Sequence, residues 1–169
     1  MKLFCTGNPK KRTVAYALGC DHASLSSGWN FRSETALEKF SSTIVNYDVF
    51  INSAWISPGI QIKLMDIAYK AWMANNIKGH IINIGTTLEN TDDQSEYAVG
   101  KRKLRKRSLE LSDQTGITGV KTTHLILGGI DNGESDGQGM VKLDQLSSSI
   151  HWVVAQECRV PLLQLDGVK

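Results

Sequence analysis

The chain has 169 residues, 41% hydrophobic and 21% charged, with a net charge of +2, which suits a globular domain large enough to bury a sizeable core. No apolar run approaches the roughly 20 residues that span a bilayer, which excludes a helical membrane protein, and so small a net charge specifies no partner. The N-terminus breaks after Leu3-Phe4-Cys5, too soon for the apolar stretch of a secretory signal. Cys5, Cys20 and Cys158 are widely spaced and match no metal-ligand pattern, so they read as reduced, mainly buried thiols of a cytoplasmic protein without a metal.

In chain order, short apolar runs alternate with stretches of helical periodicity, the pattern of a parallel sheet covered by helices. Lys2 to Thr6 predicts a first strand, and Arg12 to Leu18 a helix closed by Gly19. Residues 22–27 suggest a weak second strand. Ser33 then caps a helix with Glu34 in its first turn and Leu37, Phe40 and Ile44 as its buried stripe. Tyr47 to Asn52 reads as a buried strand, 60–74 as a long helix, and His80 to Ile84 as the next strand. A polar stretch from Leu88 to Ser95 leads into a helix from Tyr97 to Leu111, followed by a strand at Val120 to Leu127. Residues 128–139 contain five glycines and suggest a loop near a site. An amphipathic helix over 143–154 and a strand over 161–165 complete an α/β, Rossmann-like, doubly wound pattern. Residues 1–169 read as one domain without internal repeats.

Tyr97 and Lys101 stand four residues apart on the expected helix, so both project from one face. A phenol with an ordinary pKa near 10 exchanges protons poorly at neutral pH, and an adjacent ammonium favours the phenolate. The spacing therefore predicts a lysine-tuned tyrosine able to act as a general acid or base, although two solvated side chains satisfy the same spacing.

The context of this pair resembles the short-chain dehydrogenase/reductase family. Asn83-Ile84-Gly85-Thr86 matches the family's Asn-hydrophobic-Ser-Ser strand end before its Tyr-x-x-x-Lys, with Gly85 and Thr86 in place of the serines. Asn52-Ser53-Ala54 matches its Asn-Ala-Gly strand end, and Gly128-Gly129-Ile130 its Pro-Gly-x-Val turn. Leu163-Gln164-Leu165-Asp166-Gly167 resembles its last strand. The resemblance implies hydride transfer between a nicotinamide cofactor, NADP or NAD, and a small carbonyl or alcohol substrate. It makes Thr86 the catalytic hydroxyl that orients the substrate, Tyr97 the proton-transfer residue, and Lys101 both its tuner and a ligand of the nicotinamide ribose. Asn52, Ser53, Ala54, Gly129 and Ile130 become cofactor-binding residues.

The sequence also departs from that pattern. The family's glycine-rich phosphate turn reads Thr6-Gly7-Asn8-Pro9-Lys10-Lys11-Arg12-Thr13 here, with Gly7 retained and Lys11 and Thr13 at the other two glycine positions. Lys10, Lys11 and Arg12 can instead hold phosphate through their charges, leaning towards NADP, or form only a solvated turn. The second strand's end offers no acidic residue for a ribose, and Asn30 stands where an aspartate near the adenine belongs. One strand–helix unit is missing from the N-terminal half. Gln61 is the nearest counterpart to the family's helical asparagine.

Lys101-Arg102-Lys103-Leu104-Arg105-Lys106-Arg107 carries six cations in seven residues, and a helix cannot hide such a run on one side. A solvated face is the plain reading. Nucleic-acid binding is an alternative, as is a nucleotide-binding protein without redox turnover. So much like charge disfavours the homo-oligomer interface that this helix often makes in the family. Trp55 reads as packing or as a stacking surface.

Overall fold

A computed structural model of the chain describes residues 1–8, 13–131 and 140–167. Its elements are β1 (Leu3–Thr6), α1 (Val14–Leu18), β2 (Asp21–Ala23), α2 (Glu34–Ile44), β3 (Val49–Asn52), α3 (Ile60–Ala74), β4 (His80–Ile84), α4 (Glu96–Ser112), α5 (Thr115–Thr118), β5 (Lys121–Leu127), α6 (Leu143–Ala155) and β6 (Leu162–Leu165). Short 3-10 turns occupy Leu25–Ser27 and Thr87–Asn90. The strands form one parallel sheet in the order β2-β1-β3-β4-β5-β6, an α/β Rossmann-like arrangement. A single strand, β2, lies beyond β1, where the fuller doubly wound order has two. The shortened N-terminal half therefore costs the sheet one edge.

Strand alternation sorts the core onto two faces. Phe4, Phe50 and Ile81 point towards α2, α3 and α4, where they meet Phe40, Leu64, Trp72 and Leu104. Cys5, Ile51, Ile82, Leu125 and Leu127 point the other way, towards Val14 and Ala15 of α1 and Leu146, Ile150 and Val153 of α6. The central strands β3 and β4 are buried along their whole lengths, because helices cover both of their faces. Local signals act as the sequence suggests: the Ser33 hydroxyl accepts from Ala36 N–H at the start of α2, and Gly19 ends α1 in the left-handed region.

Three expectations change, and two fall where nothing is described. The second strand stops at Ala23, because Ser24 opens a 3-10 turn instead of extending the pairing. Helix α5, whose four residues carry too short a pattern to be read, follows α4 in the chain, and its Thr118 hydroxyl accepts from the Tyr69 hydroxyl of α3 at 3.0 Å. Of the three cysteines, only Cys5 is buried, Cys20 is partly covered and Cys158 is exposed. The phosphate-turn residues Lys10, Lys11 and Arg12, and the glycine-rich stretch 132–139, lie outside the described residues.

His80, at the start of β4, is buried and bonded through Nε2 to Thr123 Oγ1 at 2.8 Å. Burial first, and the Lys121 charge second, lower its pKa to about 4 from the ordinary 6.5. Between those values the unfolded chain binds the extra proton and the folded chain does not, so stability falls with falling pH. The window runs from pH 6.5 down to about 4, and the loss is about 3 kcal/mol. Urea unfolding followed across that window is expected to show this loss in the wild type, and His80→Gln is expected to remove most of the slope.

Candidate active site

The site is built where β1, β3, β4 and β5 end. Thr6, the last residue of β1, ties two strand ends together: its hydroxyl accepts from Ser53 N–H at 3.1 Å and Ala54 N–H at 3.3 Å, and Ser53 Oγ donates back to the Thr6 carbonyl. Gly7 follows with φ +143°, and a Cβ there would lie 3.0 Å from Ser53 Oγ. The position favours glycine on both counts. On the far side of β1, Thr13 caps α1 by accepting from Tyr16 N–H, and its hydroxyl donates to the Asn8 carbonyl at 2.8 Å.

Two clefts open at these strand ends. The first, about 430 Å³, is lined by Gly7, Asn8, Thr13, Ser53, Ala54, Gly85, Thr86, Tyr97, Lys101, Gly128 and Ile130, among others. The second, about 440 Å³, lies beside β2 and is lined by Ser24, Ser26, Trp29, Asn30, Arg32 and Trp55, among others. Gly7, Asn8 and Ala54 line both, so the two run into each other over β1. The chain leaves β1 for β2 on one side, while β3 adds on the other. This is the switch point at which open α/β sheets bind ligands.

Helix α4 supplies the proton-bearing groups. Ser95 caps it through Ala98 N–H at 3.2 Å, which directs the first turn, and with it Tyr97, over the end of β4. Lys101 is 2% exposed; its Nζ donates to the Ile84 carbonyl at 2.6 Å and lies 5.3 Å from the centre of the Tyr97 ring. Burial lowers the Lys101 pKa to about 8, with the Glu89 charge acting in the opposite direction. Tyr97 is shifted upward, chiefly by burial; a hydrogen bond with the Thr86 hydroxyl pulls it down, and the Glu89 charge adds to the rise. The lysine-lowered phenol expected from the spacing is thus corrected. The ammonium is held against Ile84, and desolvation governs the ring. Trp55 covers Tyr97 edge-on, with ring centres 4.9 Å apart and planes at 80°.

No protein-family model matches the chain, and no curated protein matches it in sequence. Solved structures do match. A short-chain dehydrogenase from Leptospira borgpetersenii serovar Hardjo-bovis, crystallised with NAD+, has a TM-score of 0.77 at 14% identity over 98% of this chain and 91% of that one. Acetoin dehydrogenase from Salmonella typhimurium has a TM-score of 0.76 at 16% identity over 99% and 96%. An alcohol dehydrogenase from Thermococcus sibiricus, complexed with 5-hydroxy-NADP, has 0.70 at 14% over 99% and 97%. The fold is that of the short-chain dehydrogenases.

Within that fold, Thr86, Tyr97 and Lys101 meet in the first cleft, together with Gly7, Asn8, Thr13, Ser53, Ala54 and Ile130, and Asn30 lies in the second. Gly128 and Ile130 line the first cleft, whereas Gly129 between them does not. Asn52 is a correction: it is fully buried, donating to Asn83 Oδ1 and to the Gln61 carbonyl, both at 2.8 Å, and it lines neither cleft. Gln61 is another. Its Nε2 donates to the Asn52 carbonyl at 2.8 Å, so it braces β3 from below and does not reach the cleft.

The basic run is also redistributed. Lys101 is buried, Arg102 donates to the carbonyls of Thr91 and Asp93, Arg105 to Asn90 Oδ1, and Arg107 pairs with Asp66 and Glu110. Lys103 and Lys106 are exposed. Helical rotation of 100° per residue spreads the run around the axis, and Arg102, Arg105 and Lys106 remain together on one face, lining an outer pocket with Glu89. Among the described residues no cluster could hold a metal ion, and no helix is long and apolar enough to cross a membrane.

Two contributors to the site escape the sequence pattern, Glu89 and His124. Glu89 and His124 are hydrogen-bonded to each other, with both side chains fully buried. A carboxylate has no proton to give, so His124 Nε2 carries it and donates to Glu89 at 2.9 and 3.0 Å. Among the described residues His124 Nδ1 has no hydrogen-bond partner. The carboxylate lies beneath Thr86, whose N–H it accepts. The one legible signal was a histidine inside the otherwise apolar run Leu125-Ile126-Leu127 and its preceding threonines.

Proposed function

We propose that this chain is an oxidoreductase of the short-chain dehydrogenase type, moving hydride between a nicotinamide dinucleotide and a small alcohol or carbonyl compound. The observation that carries this reading is the pair of clefts joined over Gly7, Asn8 and Ala54. Two compartments meeting at the switch point suit a ligand with two lobes, and Thr86, Tyr97 and Lys101 stand in only one of them. The cofactor supplies the hydride acceptor or donor. Gly7, lacking a Cβ, lets the ligand backbone pass between the lobes, and Ser53 and Ala54 form the floor beneath it.

The protein side of the reaction follows from the geometry. Thr86 holds the substrate oxygen by hydrogen bonding, within reach of the Tyr97 phenol. Tyr97, kept protonated by its burial, gives its proton to a carbonyl oxygen as negative charge develops there, and takes one from an alcohol in the reverse direction. Lys101 supplies positive charge close to the ring, which stabilises the phenolate left behind. Trp55 and Tyr97 close the apolar side and exclude water.

Within this reading the cofactor is NADP. The second cleft contains Ser24, Ser26 and Arg32 and no acidic side chain, a donor set that suits a phosphate and not a pair of ribose hydroxyls. Calorimetric titration is expected to show NADPH binding more tightly than NADH. Arg32→Ala is expected to weaken NADPH by about 10–100-fold and to leave NADH within about threefold. Failure of both cofactors to bind at millimolar concentration overturns the oxidoreductase reading; equal losses for both overturn the role of Arg32.

A further inference from the structure

Glu89 is the third residue of the 3-10 turn that begins at Thr87, and its carboxylate folds back to accept the Thr86 N–H at 3.3 Å. Both carboxylate oxygens take the Nε2–H of His124. His124 sits on β5 opposite Asn83 of β4, so this bond anchors the turn to the middle of the sheet. Gly85 separates the two side chains from the cleft. A Cβ at Gly85 would come within 2.4 Å of both Glu89 Oε1 and His124 Nε2, so the pair exists only because position 85 has no side chain.

The charged and titratable groups around Glu89 come from two elements. His124 faces it from β5. From α4, Lys101 and Tyr97 lie on its cleft side, while Arg102, Arg105 and Lys106 share an outer pocket with it. Arg102 donates to the carbonyls of Thr91 and Asp93 beyond the turn, and Arg105 to Asn90 Oδ1. His124 is thus the group that fixes the carboxylate.

We propose that Glu89, seated by His124, is the positioning residue of this site: it fixes Thr86 through its backbone N–H and presents a buried negative charge to Lys101 and Tyr97. The part concerning turnover rests on the dehydrogenase reading; the part concerning charge does not. A negative charge here holds the proton on both Lys101 and Tyr97. It keeps Tyr97 in the protonated form from which carbonyl reduction starts, in which the proton would pass to the carbonyl oxygen as a bound reduced nicotinamide gave hydride to the carbonyl carbon, while Lys101 offsets the cost of the phenolate that is left.

The test uses the full chain and two readouts. One is the phenolate titration of Tyr97 without cofactor, taken as the difference between each protein and its Tyr97→Phe counterpart. The other is the rate of carbonyl reduction with NADPH as a function of pH. Glu89→Gln is expected to move the Tyr97 titration down by about half a unit or more and to lower kcat by about 10–100-fold, with the cofactor KM changed by less than about threefold. Glu89→Asp keeps the charge but is one methylene too short for Thr86; it is expected to lower kcat and leave the titration in place. Should the glutamine variant not fold, the aspartate variant decides, and full kcat in it overturns the proposal. A folded Glu89→Gln protein with an unmoved titration also overturns it, as does one whose cofactor affinity falls as far as its kcat. If the wild type shows no turnover, the dehydrogenase reading fails on that result, and the titration alone decides the role of the charge.

Discussion

Tyr97→Phe is expected to lower kcat by about 10²–10⁴-fold while changing the affinity for reduced nicotinamide cofactor by less than about threefold. The reason lies in what the substitution removes. The ring stays, with its edge-on contact to Trp55 at 4.9 Å, so the apolar wall of the cleft is preserved. What disappears is the hydroxyl bonded to Thr86, the group placed to exchange the proton. Initial rates from nicotinamide absorbance, paired with calorimetric binding, separate the two effects. Undiminished turnover removes Tyr97 from the reaction.

Lys101→Met is expected to abolish most turnover and, at the same time, make the protein more stable. The lysine is 2% exposed, and its pKa is lowered from 10.5 to about 8 by burial. That shift corresponds to about 3 kcal/mol of destabilisation at neutral pH. The sign follows from proton counts. Below pH about 8 both folded and unfolded chains carry the ammonium, so the folded state bears the whole cost of burying it. Between about 8 and 10.5 the folded chain has released the proton and the unfolded chain retains it, so stability rises with pH. Methionine keeps the volume and removes the charge, but leaves the Ile84 carbonyl without its 2.6 Å partner, which offsets part of the gain. The net expectation is about 1–2 kcal/mol in favour of the variant at neutral pH. Urea unfolding at neutral and alkaline pH should show this advantage shrinking through the same window. An advantage that does not depend on pH points to packing, and the burial of charge then does not explain it.

How much of this was legible depended on which residues carry periodic signals. The long helices and buried strands announced themselves: α3 runs from Ile60 to Ala74 and β4 from His80 to Ile84, where the apolar spacing placed them, because each is fixed by one continuous face of burial. Tyr97 and Lys101 were legible for the same reason, being four apart on a helix. Asn52 misled because its type matched a strand end, yet Gln61 braces that end and both N–H groups of the Asn52 amide are taken up inside the fold. The direction of the Tyr97 shift could not be read from spacing, since it depends on how deeply the ring and the ammonium are buried. Glu89 and His124 were invisible because the contact joins residues 35 apart, across a turn and a strand that no local pattern connects.

Gly85 makes positions 85, 89 and 124 a single unit of inheritance. A serine there would overlap both Glu89 and His124, so it can enter only after one of them has been replaced by something smaller. Conversely, the buried acid and imidazole can arise only on a chain that already has glycine there. A serine at position 85 therefore calls for a smaller residue at 89 or 124 in the same change.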